Sequence, residues 1–429
     1  MQKLIIAKLL VLISAFSLLA QSKQITVIKA GKLIDTEKGK VLNDQMILIE
    51  GEKIKAVGRN LTVRKNAKII DLSSSTVLPG LIDTHVHISG QAPDRKKLAN
   101  PFIDPSVIAH IYAQRTLKAG FTSVRSLSSN SFSGVYLKRA INRGIIWGPR
   151  IQAGAFYIGS TGSHGDVIGL SPWRGTKRPS EMTGIANGVD EVRKKVRYLV
   201  KYGADVIKFG ASAGVLSGED SVSAAQYTQE EMNAIVDEAH MWGRRVAAHA
   251  HGTKAIKMAV RAGVDSIEHG SLIDAEGIRM MKKKGTYLVA DIYVDDYIVR
   301  EYTKLGFPQQ VIEKEKIVGK TQRENFRKAF NAGVKMAFGT DAGVYPHGWN
   351  GKQFFHMVKW GMTPMQAIQS ATVSAADLMG WSSKVGSVRA GKLADIIAVT
   401  TDPLKDIKSL ENVEFVMKGG KIYKNRSAH

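Results

Sequence analysis

Two histidines one residue apart, His85 and His87, follow the apolar run Leu78-Pro79-Gly80-Leu81-Ile82-Asp83-Thr84. Side chains alternate faces along a strand, so residues i and i+2 point the same way. Two imidazoles so placed can share one divalent cation; the plainer reading is two polar residues on a half-buried strand. The spacing recurs at His249 and His251, which close Arg245-Val246-Ala247-Ala248-His249-Ala250-His251. Ser266-Ile267-Glu268-His269 also ends on histidine, and Ala337-Phe338-Gly339-Thr340-Asp341 ends on aspartate. In Asp205-Val206-Ile207-Lys208-Phe209-Gly210 a lysine interrupts an apolar strand. A buried ammonium is costly unless it is paired or altered. Lys208 therefore reaches a surface or an acid, or else burial neutralises it and it takes up carbon dioxide as a carbamate, an anionic ligand with two oxygens. A lone histidine at a strand end is usually structural. So many at strand ends, with Lys208 and Asp341 on two other strands, argue for one shared centre.

Positioning these groups requires strands whose ends converge. The segments Val77–Ile88, Phe121–Leu127, Arg150–Phe156, Asp205–Ala211, Arg245–His251, Ser266–Gly270, Thr286–Ile292 and Lys335–Asp341 read as strands. Between most of them lie helical patterns: Pro105–Ala119, Asp190–Tyr202, Thr228–Trp242, Thr253–Ala262, Asp274–Lys284 and a long one before Gly333. Several end at glycine, as at Gly120, Gly203, Gly243, Gly263 and Gly333, the expected helix stop. This alternation predicts an α/β fold, a (β/α)8 TIM barrel. A doubly wound open sheet is the competitor, disfavoured because polar groups recur at one end of many strands. Short period-two segments near both termini, such as Gln45–Ile49 and Val413–Met417, predict a small β-sandwich built from both chain ends. The expected organisation is a leader over 1–22, a composite sandwich from 23–78 and 385–429, and the barrel over 79–384. The Gly/Ser-rich stretch Gly154–Gly175 reads as an active-site loop.

Composition narrows the chemistry. The chain has 429 residues and no cysteine, which excludes disulfides and thiolate metal sites. The net charge of +23 suits anionic partners. The lysines are scattered, without a basic stripe interleaved with aromatics, so nucleic acid is not expected as the main partner. Lys3 and Lys8 precede the apolar run Leu9–Ala20, followed by Gln21-Ser22-Lys23. That run fits a cleaved signal peptide and falls short of the roughly 20 residues of a membrane span. An exported protein, periplasmic or secreted, with no stable membrane span is expected; an uncleaved anchor is the other reading.

The strand-end pattern resembles the amidohydrolase superfamily of metal-dependent hydrolases: His85-x-His87 on the first strand, Lys208 on the fourth, His249 on the fifth, His269 on the sixth and Asp341 on the eighth. The resemblance covers nearly the whole chain after the leader. Val206–Gly214, His249-Ala250-His251-Gly252, Gly162–Asp166 and Ala390–Asp395 resemble the branch of Xaa-Pro dipeptidases and ochratoxinase-like amidases. That branch often has Arg-Asp after the second strand, where this chain has Arg125-Ser126. The resemblance implies two divalent metal ions, with zinc first and manganese, iron or cobalt also suited. His85, His87 and Asp341 would hold one ion, and His249 and His269 the other, bridged by the carbamate on Lys208. It implies hydrolysis of an amide in a dipeptide or N-acyl amino acid by hydroxide held between the ions. Asp341 would relay the proton. His251 would contact the substrate or its oxyanion, although its spacing also allows a ligand role; His164 and Tyr227 are further candidates for lining the pocket. The partner is then a small-molecule substrate with a free carboxylate, and a homo-oligomer is compatible with the sequence. A cyclic-amide hydrolase of imidazolonepropionase type on the same barrel and a non-catalytic binding protein are the alternatives.

Overall fold

The computed structural model describes residues 25–94, 105–129, 131–166, 183–216 and 221–426. The expected leader lies outside them, and no helix among the described residues is long and apolar enough to cross a membrane. Both ends of the described chain enter one seven-stranded sheet. Its strands are β1 (Ile25–Asp35), β2 (Lys40–Glu50), β3 (Lys53–Gly58), β4 (Lys68–Pro79), β12 (Ile396–Val399), β13 (Phe415–Lys418) and β14 (Lys421–Asn425), in the order β14-β13-β12-β4-β1-β2-β3. The join between the two ends is the antiparallel pairing of β4 with β12, Leu78 opposite Ile397. A register shift between Ala30 and Lys32 marks a bulge where β1 runs beside β4, and bulges bend a sheet. The sheet curls until β3 meets the segment before β12, with the amide of Ile54 donating to the carbonyl of Lys392 at 2.9 Å. Ile28, Ile47, Ile54, Leu72, Ile396 and Phe415 fill the space it encloses. The expected composite of both termini is thus present as one continuous hydrogen-bonded sheet folded over its own core.

The middle of the chain alternates strand and helix. Parallel strands β5 (Leu81–Val86), β6 (Phe121–Ser126) and β7 (Arg150–Ala153) form one sheet. Strands β8 (Val206–Gly210), β9 (Arg245–Ala250), β10 (Ser266–His269) and β11 (Tyr287–Val289) form another, also parallel. Bridges at Ile158–Phe209, Leu288–Met336 and Val86–Ala342 connect the two sheets at both margins. The expected eighth strand, Lys335–Asp341, carries one such bridge at Met336, with the other just past its end at Ala342, and no regular ladder. Gly339 explains part of this: a Cβ there would lie 2.2 Å from Val289 Cγ1 and 3.0 Å from His85 Cβ, so bare backbone is pressed against β5 and β11.

The helices form where local signals agree. Thr228 caps Gln229–Met241 by accepting from the amide of Glu231, whose carboxylate accepts from the Thr228 amide in return. Gly188–Tyr202 and Thr253–Ala262 stop at Gly203 and Gly263, both left-handed. Their inner faces pack on the strands: Val196, Leu199, Ile235 and Ile256 share one apolar core with Ile207, Val246 and Ile267. Helices at Ser133–Asn142, Val294–Glu301 and Lys352–Lys359 were not expected from sequence.

Candidate active site

The C-terminal ends of β5, β8, β9 and β10 open into one cavity of about 270 Å³. His85, His87, Lys208, His249, His251, His269 and Asp341 all line it. Three sets of potential ligands occur there: His85 with His87 and Asp341; His249 with His251 and His269; and His269 with Asp291 and Asp341. Within each set the ligand atoms lie within 4.8 Å of one another. Asp341 Oδ1 is 2.9 Å from His87 Nε2 and 3.4 Å from His85 Nε2. Lys208 Nζ approaches His85 Nε2 at 3.5 Å. His269 and Asp341 hold left-handed backbone, φ 69° and 55°, an unusual conformation for residues other than glycine. Such outliers concentrate where a side chain must be aimed at a functional point.

Electrostatics favour ligand forms. Burial pushes His85, His249 and His251 well below the usual histidine range, so their rings are neutral and carry a lone pair. Burial also pulls Lys208 down to about 8, which makes its free amine accessible near neutrality. For Asp341 burial works upward, but the neighbouring imidazoles of His85 and His87 outweigh it and keep the carboxylate ionised. Burial would lower His269 too, yet Asp291 beside it turns the net shift upward. His269 Nδ1 lies 2.9 Å from Asp291 Oδ2, so Nε2 is left for the cavity. The buried atom His249 Nε2 has no hydrogen-bond partner among the described residues. Interiors rarely leave such atoms idle. Clustered neutral imidazoles, a carboxylate and unspent lone pairs fit divalent cations of the zinc type.

The expected pocket residues divide. His164 is on the cavity wall, its ring stacked on His249 at 4.3 Å between centroids, and its loop also brings Tyr157 there. The part of that loop after Asp166 up to Gly175 lies outside the described residues. Tyr227 is elsewhere: it is buried against Phe209 and donates to the carbonyl of Ala186 at 2.8 Å, so its hydroxyl is spent on closing the fold. His251 faces the cavity with Nδ1 2.8 Å from Ser271 Oγ.

Three contributors were not foreseen. Asp291, just beyond β11, is hidden in an apolar run, although an acid at a strand end is the same signal that exposed Asp341. Asp83 lies wholly buried beneath His85, accepting from Thr340 Oγ1 at 2.5 Å and Asn350 Nδ2 at 2.7 Å; it ties β5 to the segment that carries Asp341. Arg125 is fully buried and ion-paired with Glu268 at 2.8 Å.

Comparison with known proteins agrees with this geometry. The sequence profile of the amidohydrolase family matches residues 76–423. Ochratoxinase of Aspergillus niger is 32% identical over 424 residues, covering 94% of this chain and 87% of that protein. A crystal structure of a Xaa-Pro dipeptidase with methionine bound in its active site superposes with a TM-score of 0.88 at 41% identity, covering 94% of this chain and all of that one. A prolidase complexed with N-methylphosphonate-L-proline superposes with a TM-score of 0.87 at 32% identity, again over 94% and 100% of the two chains. The profile takes in every strand end described above together with β12 and β13, and the chain belongs to the amidohydrolase family, as an amide-bond hydrolase of its ochratoxinase and dipeptidase branch.

Proposed function

We propose that this protein is an exported hydrolase that uses two metal ions to cleave dipeptides or N-acyl amino acids bearing a free carboxylate. The observation that carries the reading is the convergence of two histidine-rich ligand sets on one cavity with Lys208 on its wall. The sheets, joined at both margins by bridges, are read as a closed (β/α)8 barrel whose mouth is that cavity. His85, His87 and Asp341 would hold one cation, His249 and His269 the other, with Lys208 as a carbamate between them. Bound there, two divalent cations would lower the pKa of a water and polarise the amide carbonyl.

The chain's own residues do the rest. Asp341, kept ionised, accepts the proton of the attacking water and returns it to the leaving amine. Ser271 Oγ can donate to His251 Nδ1, which leaves Nε2–H aimed into the cavity. That donor suits either the developing oxyanion or the substrate carboxylate. His164, stacked on His249, walls the pocket on the loop side. The structural relatives support the substrate class, since one holds methionine and another N-methylphosphonate-L-proline.

The test is a screen of the metal-supplemented protein against dipeptides and N-acyl amino acids, with metal content measured on the same preparation. Turnover of carboxylate-bearing amides with about two ions per chain is the expected result. Fewer than one ion per chain would sink the two-metal reading. Turnover confined to cyclic amides would transfer the protein to the alternative class.

A further inference from the structure

Arg125 and Glu268 are each wholly shielded from solvent, an ion pair deep among the strands with no substrate-facing surface. Buried pairs are poor sources of stability, because desolvating two charges offsets most of their attraction and apolar replacements are often as stable. Their placement suggests another use. Glu268 Oε1 accepts from Arg125 Nη2 at 2.8 Å and from Ser266 Oγ at 2.5 Å. Its other oxygen, Oε2, lies 3.0 Å from His85 Nδ1, and among the described residues neither atom has another partner. Arg125 Nε meanwhile donates to the carbonyl of Thr84, the residue before His85, at 2.6 Å. The pair therefore grips the backbone of β5 and sets a carboxylate against the inner nitrogen of the ring. The outer nitrogen, Nε2, faces Asp341 and Lys208.

We propose that Glu268, held in place by Arg125, is a positioning residue that fixes the proton of His85 on Nδ1 and so reserves the Nε2 lone pair for a cation in the cavity. An anionic oxygen beside Nδ1 opposes a lone pair there and favours N–H, whichever way the ring tilts. A ligand imidazole oriented through its second nitrogen is a recurrent feature of metal sites. Asp291 gives His269 such a partner, and Glu268 gives one to His85 from the neighbouring position of the same strand, β10. His269, whose left-handed backbone departs from the regular strand, reaches the cavity itself, whereas Glu268 meets the Nδ1 side of the His85 ring.

The inference rests on the metal-site reading for His85, and the experiment separates the two. In metal-free protein labelled with 15N-histidine, long-range nitrogen–proton correlation reports which ring nitrogen of His85 is protonated. The signal is assigned by its loss in His85→Asn. The wild type is expected to show Nδ1–H and a bare Nε2; the reverse would overturn the proposal without any further variant. Glu268→Gln alone strands the buried charge of Arg125, so the informative protein is the double substitution Arg125→Met with Glu268→Leu. It should lose the Nδ1–H preference, and zinc titration against a chelator should show one of two ions bound about 10–100-fold more weakly. Zinc bound equally by both proteins would overturn the inference and leave the metal site standing. No zinc bound by the wild type would overturn the metal-site reading itself.

Discussion

Replacing Lys208 by Met tests the centre of the site through stability as well as activity. The amine is 2% exposed, and among the described residues its hydrogen-bond-range neighbour is His85 Nε2 rather than a carboxylate. Burial brings its pKa from the ordinary 10.5 to about 8. At about 1.4 kcal/mol per pH decade, that difference is a cost of about 3 kcal/mol to the metal-free fold. Below pH 8 the amine is charged in both states and the cost is present in full. Between pH 8 and 10.5 the unfolded chain holds the proton more tightly, so stability rises with pH. Above 10.5 the cost is gone. Methionine has a similar length and no charge to bury, so Lys208→Met should be about 3 kcal/mol more stable at pH 7 in metal-free, carbon-dioxide-free buffer. The gain should vanish by about pH 10.5. Urea unfolding at the two pH values measures it, and equal pH slopes for the two proteins would refute the reasoning. The same burial raises the free-amine fraction at pH 7 roughly 300-fold, the form that takes up carbon dioxide. The more stable variant should therefore be inactive. Lys208→Ala, which leaves room for a small ligand at that position, should recover part of its activity when short carboxylic acids are added.

Asp341→Asn should keep much of its metal while turnover falls by about 10²–10⁴-fold; near-normal turnover would remove Asp341 from proton transfer. Asp291→Asn should weaken binding of the ion at His269 by about 10–100-fold in chelator competition, and an unchanged affinity would show that the Asp291 contact serves packing alone. A Cβ at Gly80 would lie 2.2 Å from Thr122 Oγ1, so Gly80→Ala should cost about 1–3 kcal/mol in urea unfolding. Thr122→Ala should restore most of that loss in the double mutant, because the two substitutions share one contact.

What sequence revealed about the site follows from how information is carried along a strand. Residues that face the cavity from a strand end sit in apolar runs at fixed spacing, so His85, His87, His249, His269 and Asp341 stood out. Lys208 stood out for its cost. The alternation of strands with glycine-ended helices, and the paired β segments at both termini, were legible for the same local reason. Partnerships across strands were not. Nothing in Phe121–Ser126 says that Arg125 will meet Glu268, because that contact joins strands of two different sheets that meet only in the folded molecule. Asp291 was masked because β11 is only three residues long and the acid lies past its end. Tyr227 was misplaced because a tyrosine before a helix cap can turn toward the pocket or into the helix packing, and here the Ala186 carbonyl settles the choice. The eighth strand looked regular because hydrophobic pattern does not register the close backbone contact that Gly339 makes with β5 and β11.

The pairing of β4 with β12 has a consequence for how the molecule is made. Its partners are about three hundred residues apart, and closing a loop of that length is entropically unfavourable until much of the intervening chain has condensed. The seam also cannot form until β12 has been synthesised, long after β4. Strands β1 to β4 are then left with an open edge during most of synthesis, exposing the side of β4 that later meets Ile396 and Ile397. The terminal sheet is thus a clasp between the two ends of the described chain, and truncating the chain before β12 would release a nascent protein with strands β5 to β11 present and its fastening undone.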